Sequence, residues 1–119
     1  MEIRPINEQE IEVITTAVDR AHVVDVKEEV LRAVPLLNVV GRCNCGCASV
    51  DFVPSGQAPP YVPIADAIAT THVGGEVGII VWGSENEITG LEVYDAGAGE
   101  LDLRLPVPET IRAVGDATV

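Results

Sequence analysis

The stretch 77–95, Val-Gly-Ile-Ile-Val-Trp-Gly-Ser-Glu-Asn-Glu-Ile-Thr-Gly-Leu-Glu-Val-Tyr-Asp, holds two apolar runs around a polar turn. The run Val77 to Trp82 is typical of a buried strand. In the run Ile88 to Asp95, leucine and valine alternate with glutamate and tyrosine, as they do in a strand with one buried face. The stretch therefore predicts an antiparallel hairpin.

Further strands are predicted on the N-terminal side of this hairpin. Ile64 to Thr71 is a weaker strand candidate because its alanines also suit a helix, and a Gly-Gly turn follows it. Leu36 to Cys43 and Cys47 to Val53 are rich in β-branched residues and predict two more strands. Four prolines between Pro54 and Pro63 indicate an ordered loop or an edge excursion.

Two helices are predicted near the N-terminus. Asn7 and Glu10 have the spacing of a capping box, and apolar residues follow at helical spacing as far as Ala21. The stretch Asp25 to Glu28 repeats the capping pattern and predicts a second, shorter helix. Pro35 should end that helix, because the residue before a proline is disfavoured in the helical conformation.

The C-terminal stretch predicts less regular structure. Leu101 to Leu105 suggests a short edge strand, and Pro108 is expected to open a final short helix that runs through Val114. The connections are too short for parallel crossovers. We therefore expect one α+β domain over residues 1–119, with two N-terminal helices packed on one face of an antiparallel sheet of about five strands.

The charge of the chain limits the classes of partner that it can be expected to bind. Nineteen acidic and seven basic side chains give a net charge of −12, and the stretch 76–119 alone holds nine acids and two bases, a balance of −7. Such a surface repels phosphate backbones, so nucleic acid is excluded as an expected partner. A basic protein partner fits the charge, and solubility is the simpler reason for it.

Location and redox state follow from two further observations. The start Met-Glu-Ile-Arg-Pro lacks the basic and apolar regions of a secretion signal, and no apolar run is long enough to cross a membrane. The cysteines are odd in number and lie in one tight cluster, whereas a disulfide framework usually has an even number spread along the chain. We expect a cytoplasmic protein with reduced thiols and no membrane partner.

Cys43, Cys45 and Cys47 are the strongest indication of chemistry, because every thiol of the chain lies in one segment. In a straight strand the outer two would be roughly 13 Å apart, at ~3.3 Å per residue, which is too far for one ion. If Asn44-Cys45-Gly46 forms a turn, the three thiols can approach one another. They can then hold zinc or another soft metal ion, with His72 as the favoured fourth ligand and open positions left to water or a partner.

Two other interpretations of the cysteines stay open. A thiolate enzyme or redox protein would use Cys43, Cys45 or Cys47, with His72 or His22 as base and Asp51 or Asp66 to orient it. In the structural interpretation, the small thiols simply fill a tight hairpin beside the core. Neither a phosphate-binding loop nor a calcium loop fits the sequence.

The chain also resembles a group of small conserved hypothetical bacterial proteins. The resemblance rests on residues Cys43 to Phe52, on the run Ile88-Thr-Gly-Leu-Glu-Val-Tyr-Asp and on Leu105-Pro-Val-Pro-Glu. Those proteins look like single domains with a Cys-x-Cys-Gly-Cys segment and a late Gly-Leu-Glu hairpin. The resemblance implies the same fold and brings no established activity with it.

Three functions are therefore weighed. The first is a binding or interaction module of unknown partner, with a thiol or metal site at the cysteine hairpin. The second is a thiol-dependent enzyme or redox protein that uses the same cysteines with His72. The third is an acidic inhibitor of a basic partner. A homodimer through an exposed sheet edge is a further expectation.

Overall fold

The computed structural model describes residues 3–42, 48–53, 61–97 and 103–114. They form two α-helices, eight strands and two short 3₁₀ turns, Val34–Leu36 and Pro108–Thr110. The helices are α1 (Glu8–Ala21) and α2 (Glu28–Ala33). The strands are β1 (Arg4–Pro5), β2 (Asn38–Val39), β3 (Gly41–Arg42), β4 (Val50–Asp51), β5 (Val62–Thr70), β6 (Glu76–Gly83), β7 (Ile88–Asp95) and β8 (Arg112–Ala113).

The helix α1 begins at the predicted capping box. The Asn7 side chain accepts a hydrogen bond from the Glu10 backbone N–H at 2.8 Å, and Glu10 accepts one from the Asn7 N–H at 3.0 Å. Arg4 on β1 donates two further bonds to the same Glu10 carboxylate, at 2.9 and 2.7 Å. Burial alone raises the pKa of Glu10, but the bonds from Arg4 and Asn7 and the charge of Arg4 together lower it below its ordinary value. One carboxylate thus ties β1 to the start of α1.

Six strands form the main sheet, in the order β3-β4-β7-β6-β5-β8, and every pairing is antiparallel. The long strands β5, β6 and β7 are its centre, and the predicted hairpin of residues 77–95 forms β6 and β7. The pair β1 and β2 makes a separate two-stranded sheet. The predicted α+β class and antiparallel sheet are confirmed.

The core contains the buried residues of α1 and those of one face of this sheet, and α1 contacts β5 and β6. On the sheet, the core consists of every second residue of the long strands, and the strand register places these residues on the same face. On the helix, it consists of the predicted apolar stripe together with Val13 and Ala17. The sheet side, which we call the covered face, comprises Ala65, Ala67 and Ala69 of β5, Val77, Ile79 and Val81 of β6, and Leu91 and Val93 of β7, each at most 2 % exposed. The small alanines lie where α1 contacts β5.

The helical layer differs in detail from the prediction. The strand β1 precedes both helices, so the helices are not strictly N-terminal to the strands. The second helix begins at Glu28 after Lys27, which makes no side-chain cap, so the predicted cap at Asp25 is wrong. None of the residues of α2 is buried. The main sheet has six strands, one more than expected.

The stretch Leu36 to Cys43 was predicted as one strand and is instead divided. Val39 in β2 pairs with Arg4 in β1, and the Ile6 N–H bonds to the Leu37 carbonyl at 2.9 Å. Of the described residues in the second half, Gly41 and Arg42 pair with β4 in the main sheet, and the Val40 N–H bonds to the Asp51 carbonyl at 2.9 Å. The stretch is divided because its first half pairs with β1, whereas its second half pairs with β4.

Strand β5 settles the uncertain prediction at 64–71 in favour of a strand. It begins at Val62, so Pro63 belongs to the strand and not to the predicted loop. The register shifts between Pro63 and Ala65, which is where a strand tolerates a residue without an N–H. Residues 54–60 of that loop lie outside the described residues.

The C-terminal prediction is wrong in its type of structure. A 3₁₀ turn at Pro108–Thr110 leads into β8, not into a helix that reaches Val114. The Thr110 hydroxyl accepts a bond from the Thr70 N–H at 2.8 Å, and Arg20 Nη1 donates to the Glu109 carbonyl at 3.0 Å. Contacts with α1 and β5 therefore override the local helical preference. Residues 103–105 form no strand, and the rest of the predicted edge strand lies outside the described residues.

Candidate binding surface

The predicted cysteine site lies outside the described residues, because Cys43, Cys45 and Cys47 all do. The strands that flank it are antiparallel neighbours, with Gly41 opposite Asp51 and Arg42 opposite Val50. Antiparallel flanking strands are the arrangement that a hairpin requires. The turn at residues 44–46 stays a prediction.

The structure does not bring His72 beside these strands. His72 is exposed in the turn between β5 and β6. The strand β4 is separated from β5 by β7 and β6, which is three interstrand spacings or about 14 Å. Among the residues that the structure describes, no three His, Cys, Asp or Glu side chains form a group that could hold a metal ion.

The second histidine offers no catalytic pair within the described ranges. His22 Nδ1 lies 2.9 Å from the Val18 carbonyl, and Nε2 lies 4.0 Å from Asp25. No hydrogen bond in that part of the chain joins either histidine to Asp51 or Asp66. The His–Asp arrangement that a thiol enzyme would need is therefore not formed there.

A different surface stands out on the sheet side opposite α1. We call it the open face. Its side chains alternate with those of the covered face and are half-buried or exposed, apart from two buried glycines. It comprises Asp66 and Ile68 of β5, Glu76, Gly78, Ile80 and Trp82 of β6, Gly90, Glu92 and Tyr94 of β7, Asp51 of β4 and Arg112 of β8. The apolar side chains Ile68, Ile80, Trp82 and Tyr94 are absent from the set that packs against the core.

Tyr94 lies flat across β6 on the open face. Gly78 is directly opposite Tyr94, and a Cβ at Gly78 would overlap the phenol ring at Cζ. Because Cζ carries the hydroxyl, the ring crosses β6 with its hydroxyl end directed toward β5. The glycine thus provides the space for an aromatic side chain to rest on the sheet.

Trp82 has its polar atom satisfied within the same face. Its indole N–H donates to Glu92 Oε1 at 2.9 Å. The residue opposite Trp82 on β7 is Gly90, which has no side chain to compete for the space on that side of the indole. Hydrogen bonding to a carboxylate fixes the indole and leaves its apolar surface half-buried.

Asp66 is in a different state from Glu92. Its Oδ1 atom is buried and has no hydrogen-bond partner in the described part of the chain. Burial raises the pKa of Tyr94, and the negative charges of Asp66 and Glu92 raise it further. The two carboxylates therefore lie close enough to Tyr94 to act on its phenol.

The open face is negative around its apolar centre. Four carboxylates, those of Asp51, Asp66, Glu76 and Glu92, share it with one guanidinium, that of Arg112. Arg112 donates to Glu76 Oε2 at 2.9 Å, so its charge is already paired. An apolar centre with an unbalanced acidic rim is suited to a cationic, amphipathic ligand.

The outer edge of β5 is already bonded. The carbonyls of Ile64, Asp66 and Thr70 accept hydrogen bonds from the N–H groups of Val23, Val114 and Val107, at 3.0, 3.4 and 2.9 Å. The strand β8 occupies the positions between them. Another strand could pair with this edge of β5 only if β8 and the residues beside it moved away. This weakens the expectation of a dimer formed through the β5 edge.

This surface is not predicted by the sequence, although the alternation in 88–95 places Glu92 and Tyr94 on the side of their strand away from Leu91 and Val93. The neighbouring run 79–82 is apolar at every position, so its periodicity did not show which side is half-exposed. The available signal was the register, which places Trp82 and Ile80 beside Glu92.

Comparison of the chain with protein-family models, with curated proteins and with solved structures finds no match. The resemblance to small bacterial proteins therefore stays a prediction. No helix in the described ranges is both long and apolar enough to span a membrane.

Proposed function

We propose that this chain is a binding module that docks a basic protein partner on the open face of its sheet. The observation that carries this proposal is the combination of Ile68, Ile80, Trp82 and Tyr94, which lie outside the core, with four carboxylates. Of these, only Glu76 is paired with a cation among the described residues. Aromatic side chains in such positions supply much of the energy of protein interfaces. The acidic rim supplies orientation and speed of association.

The helices support this use of the sheet. The residues Val26, Val30 and Leu31 pack against the core that α1 covers. We infer that α2 joins α1 in a single layer on the covered side, as the sequence predicts. In the part of the chain that the structure describes, the open face is then free of helices.

Charge selects the class of partner. The net charge of −12 makes a second copy of this chain a poor occupant, because like charges would face each other across the contact. A partner segment that alternates basic and apolar side chains matches both the rim and the centre. This is the chemistry expected of an acidic inhibitor or adaptor for a basic protein.

The chain carries its own reporter for the test. Trp82 is the only tryptophan, so its fluorescence reports on the open face alone. A short peptide that alternates arginine with leucine is titrated at low salt, and a peptide with glutamate in place of arginine is the charge control. We expect the arginine peptide to shift the Trp82 emission and to bind more weakly as salt rises.

The location of binding is tested with two matched variants. Ile80→Ser removes an apolar side chain from the open face, whereas Leu36→Ser removes one that is 79 % exposed elsewhere. Ile80→Ser should weaken the binding of the arginine peptide about tenfold or more, and Leu36→Ser should leave that binding unchanged. Equal effects, or no emission shift at millimolar peptide, would overturn the proposal.

A second candidate function is supported by the antiparallel strands that flank the cysteines. We propose that Cys43, Cys45 and Cys47 chelate a soft metal ion such as zinc in a hairpin, with the remaining position filled by water or a partner. The distance between β4 and β5 disfavours His72 as the fourth ligand. The thiol-enzyme alternative has less support, since it needs a base that neither histidine provides among the described contacts.

Metal analysis of protein purified without chelator tests this candidate. Stoichiometric zinc should be lost in Cys43→Ser and kept in His72→Ala. Fully reduced wild-type protein without metal after zinc loading would refute the site. Loss of zinc in His72→Ala would instead restore His72 as a ligand and contradict the three-cysteine version.

A further inference from the structure

Two carboxylates beside Tyr94 differ in how they are satisfied. Glu92 accepts the Trp82 indole N–H at 2.9 Å, whereas Asp66 Oδ1 is buried and accepts no bond from the described residues. Oδ1 itself is out of reach of solvent, but Asp66 as a residue is only half-buried, so a donor from another molecule would approach the carboxylate from its exposed side. Such a donor gains more at Asp66 than at Glu92, which already accepts the indole N–H. The backbone of Asp66 is fixed by the bond from the Val114 N–H to its carbonyl.

Arg112 is the cation that the open face contains, and it is not directed to Asp66. It lies opposite Ile68, the next open-face position of β5, and donates to Glu76 instead. Among the described residues no donor is bonded to Asp66 Oδ1, so the carboxylate is suited to a donor from another molecule.

Tyr94 provides the second half of a recognition site. One face of its ring rests on Gly78 and the hydroxyl end is directed toward β5, where Asp66 lies. The other face of the ring is turned away from the sheet. A carboxylate beside an aromatic face is the pairing that binds a planar cation, because the guanidinium can stack on the ring and donate sideways.

We propose that the open face recognises one arginine side chain of its partner, whose guanidinium donates to Asp66 and stacks on Tyr94. This inference rests on the docking function proposed above and specifies the central contact. The raised pKa of Tyr94 is consistent with it, because burial and the charges of Asp66 and Glu92 favour the neutral phenol until a cation arrives. Lysine is a weaker fit, since its ammonium neither stacks nor donates in a plane.

The first test compares two carboxylates of the same face. Asp66→Asn removes the charge in the proposed site, and Asp51→Asn removes the charge of an exposed aspartate on β4. For a short peptide with a single central arginine, we expect Asp66→Asn to weaken binding about tenfold and Asp51→Asn less than about threefold. Replacing the arginine by citrulline, which is neutral and similar in shape, should remove the difference between wild type and Asp66→Asn.

A second measurement does not depend on the stability of Asp66→Asn. The chain has two tyrosines, so in Tyr61→Phe the phenolate absorbance reports on Tyr94 alone. The arginine peptide should lower the pKa of Tyr94 relative to the citrulline peptide. An unchanged pKa would overturn the arginine contact.

The outcomes separate the two proposals. If Ile80→Ser abolishes binding while Asp66→Asn binds as tightly as wild type, the docking surface stands and the arginine contact is wrong. If a lysine peptide binds as tightly as the arginine peptide, the guanidinium assignment is wrong. If Ile80→Ser has no effect, the docking proposal itself fails.

Discussion

The covered and open faces are formed by alternate residues of the same three strands, and the two faces differ in composition and burial. Along β6, Val77, Ile79 and Val81 are fully buried, whereas Ile80 and Trp82, which alternate with them on the other face, are only half-buried. The covered face is made of alanines and branched aliphatic residues. The open face combines aromatic residues with carboxylates. Residues that hold the fold and residues available for binding therefore alternate along one strand.

The largest effect is expected from neighbouring isoleucines of β6. Ile79→Ala should lower the free energy of unfolding by about 3 kcal/mol, because it leaves a cavity in the covered face. Ile80→Ala should lower it by less than about 1 kcal/mol, because the side chain lies outside the core. Urea unfolding followed through Trp82 fluorescence measures both values. Similar losses would contradict the division between the faces.

The covering layer is tested next through Glu10, which is 3 % exposed and bonded to Arg4 and Asn7. Glu10→Gln should cost about 2 kcal/mol at neutral pH. Because the pKa of Glu10 is lowered in the folded protein, this stability is fully present above the ordinary value of 4.5 and is lost as pH falls through the lower folded value.

The exposed Glu8 in the same turn is the control for Glu10. Glu8→Gln should change the free energy of unfolding by less than about 0.5 kcal/mol both near neutral pH and in acid. Urea unfolding near pH 7 and pH 3 distinguishes the variants, since the loss on acidification should be smaller in Glu10→Gln than in wild type. A wild-type acid response in Glu10→Gln would exclude Glu10 as its source.

On the open face, Gly78→Ala should cost about 1 to 2 kcal/mol, because the added methyl displaces the Tyr94 ring. In the Tyr94→Ala background the same change should be neutral or stabilising, since alanine suits a strand better than glycine does. Thermal unfolding of the four proteins in this double-mutant cycle measures the coupling. Additive effects would show that the ring does not rest on Gly78.

The smallest effect concerns Tyr94 at alkaline pH. Its pKa is raised in the folded protein, so its contribution is complete below the ordinary value of 10.0 and is lost as pH rises through the higher folded value. In Tyr61→Phe, an absorbance titration should show Tyr94 ionising above 10.0. Asp66→Asn should lower the midpoint of the Tyr94 titration. An unchanged midpoint would show that the charge of Asp66 does not raise the pKa of Tyr94.

Local signals in the sequence predicted what local forces determine. The capping box at Asn7 and the hairpin of β6 and β7 depend on neighbours in the chain, and both formed as expected. The stretch after Pro108 failed because Thr110 bonds to Thr70, forty residues away in sequence. The proposed arginine contact is not visible in the sequence for the same reason, since Asp66 and Tyr94 are brought to one face only by the strand register.

The bonded outer edge of β5 has a consequence for how the chain folds. Its hydrogen bonds come from Val23 on one side in sequence and from residues 107–114 on the other, and Arg20 reaches the carbonyls of Glu109 and Ile111 at 3.0 and 3.2 Å. Contacts between such distant parts of a chain form slowly, because a large loop must close first. Until that closure the edge is open to other chains, so aggregation should compete with refolding and increase with protein concentration.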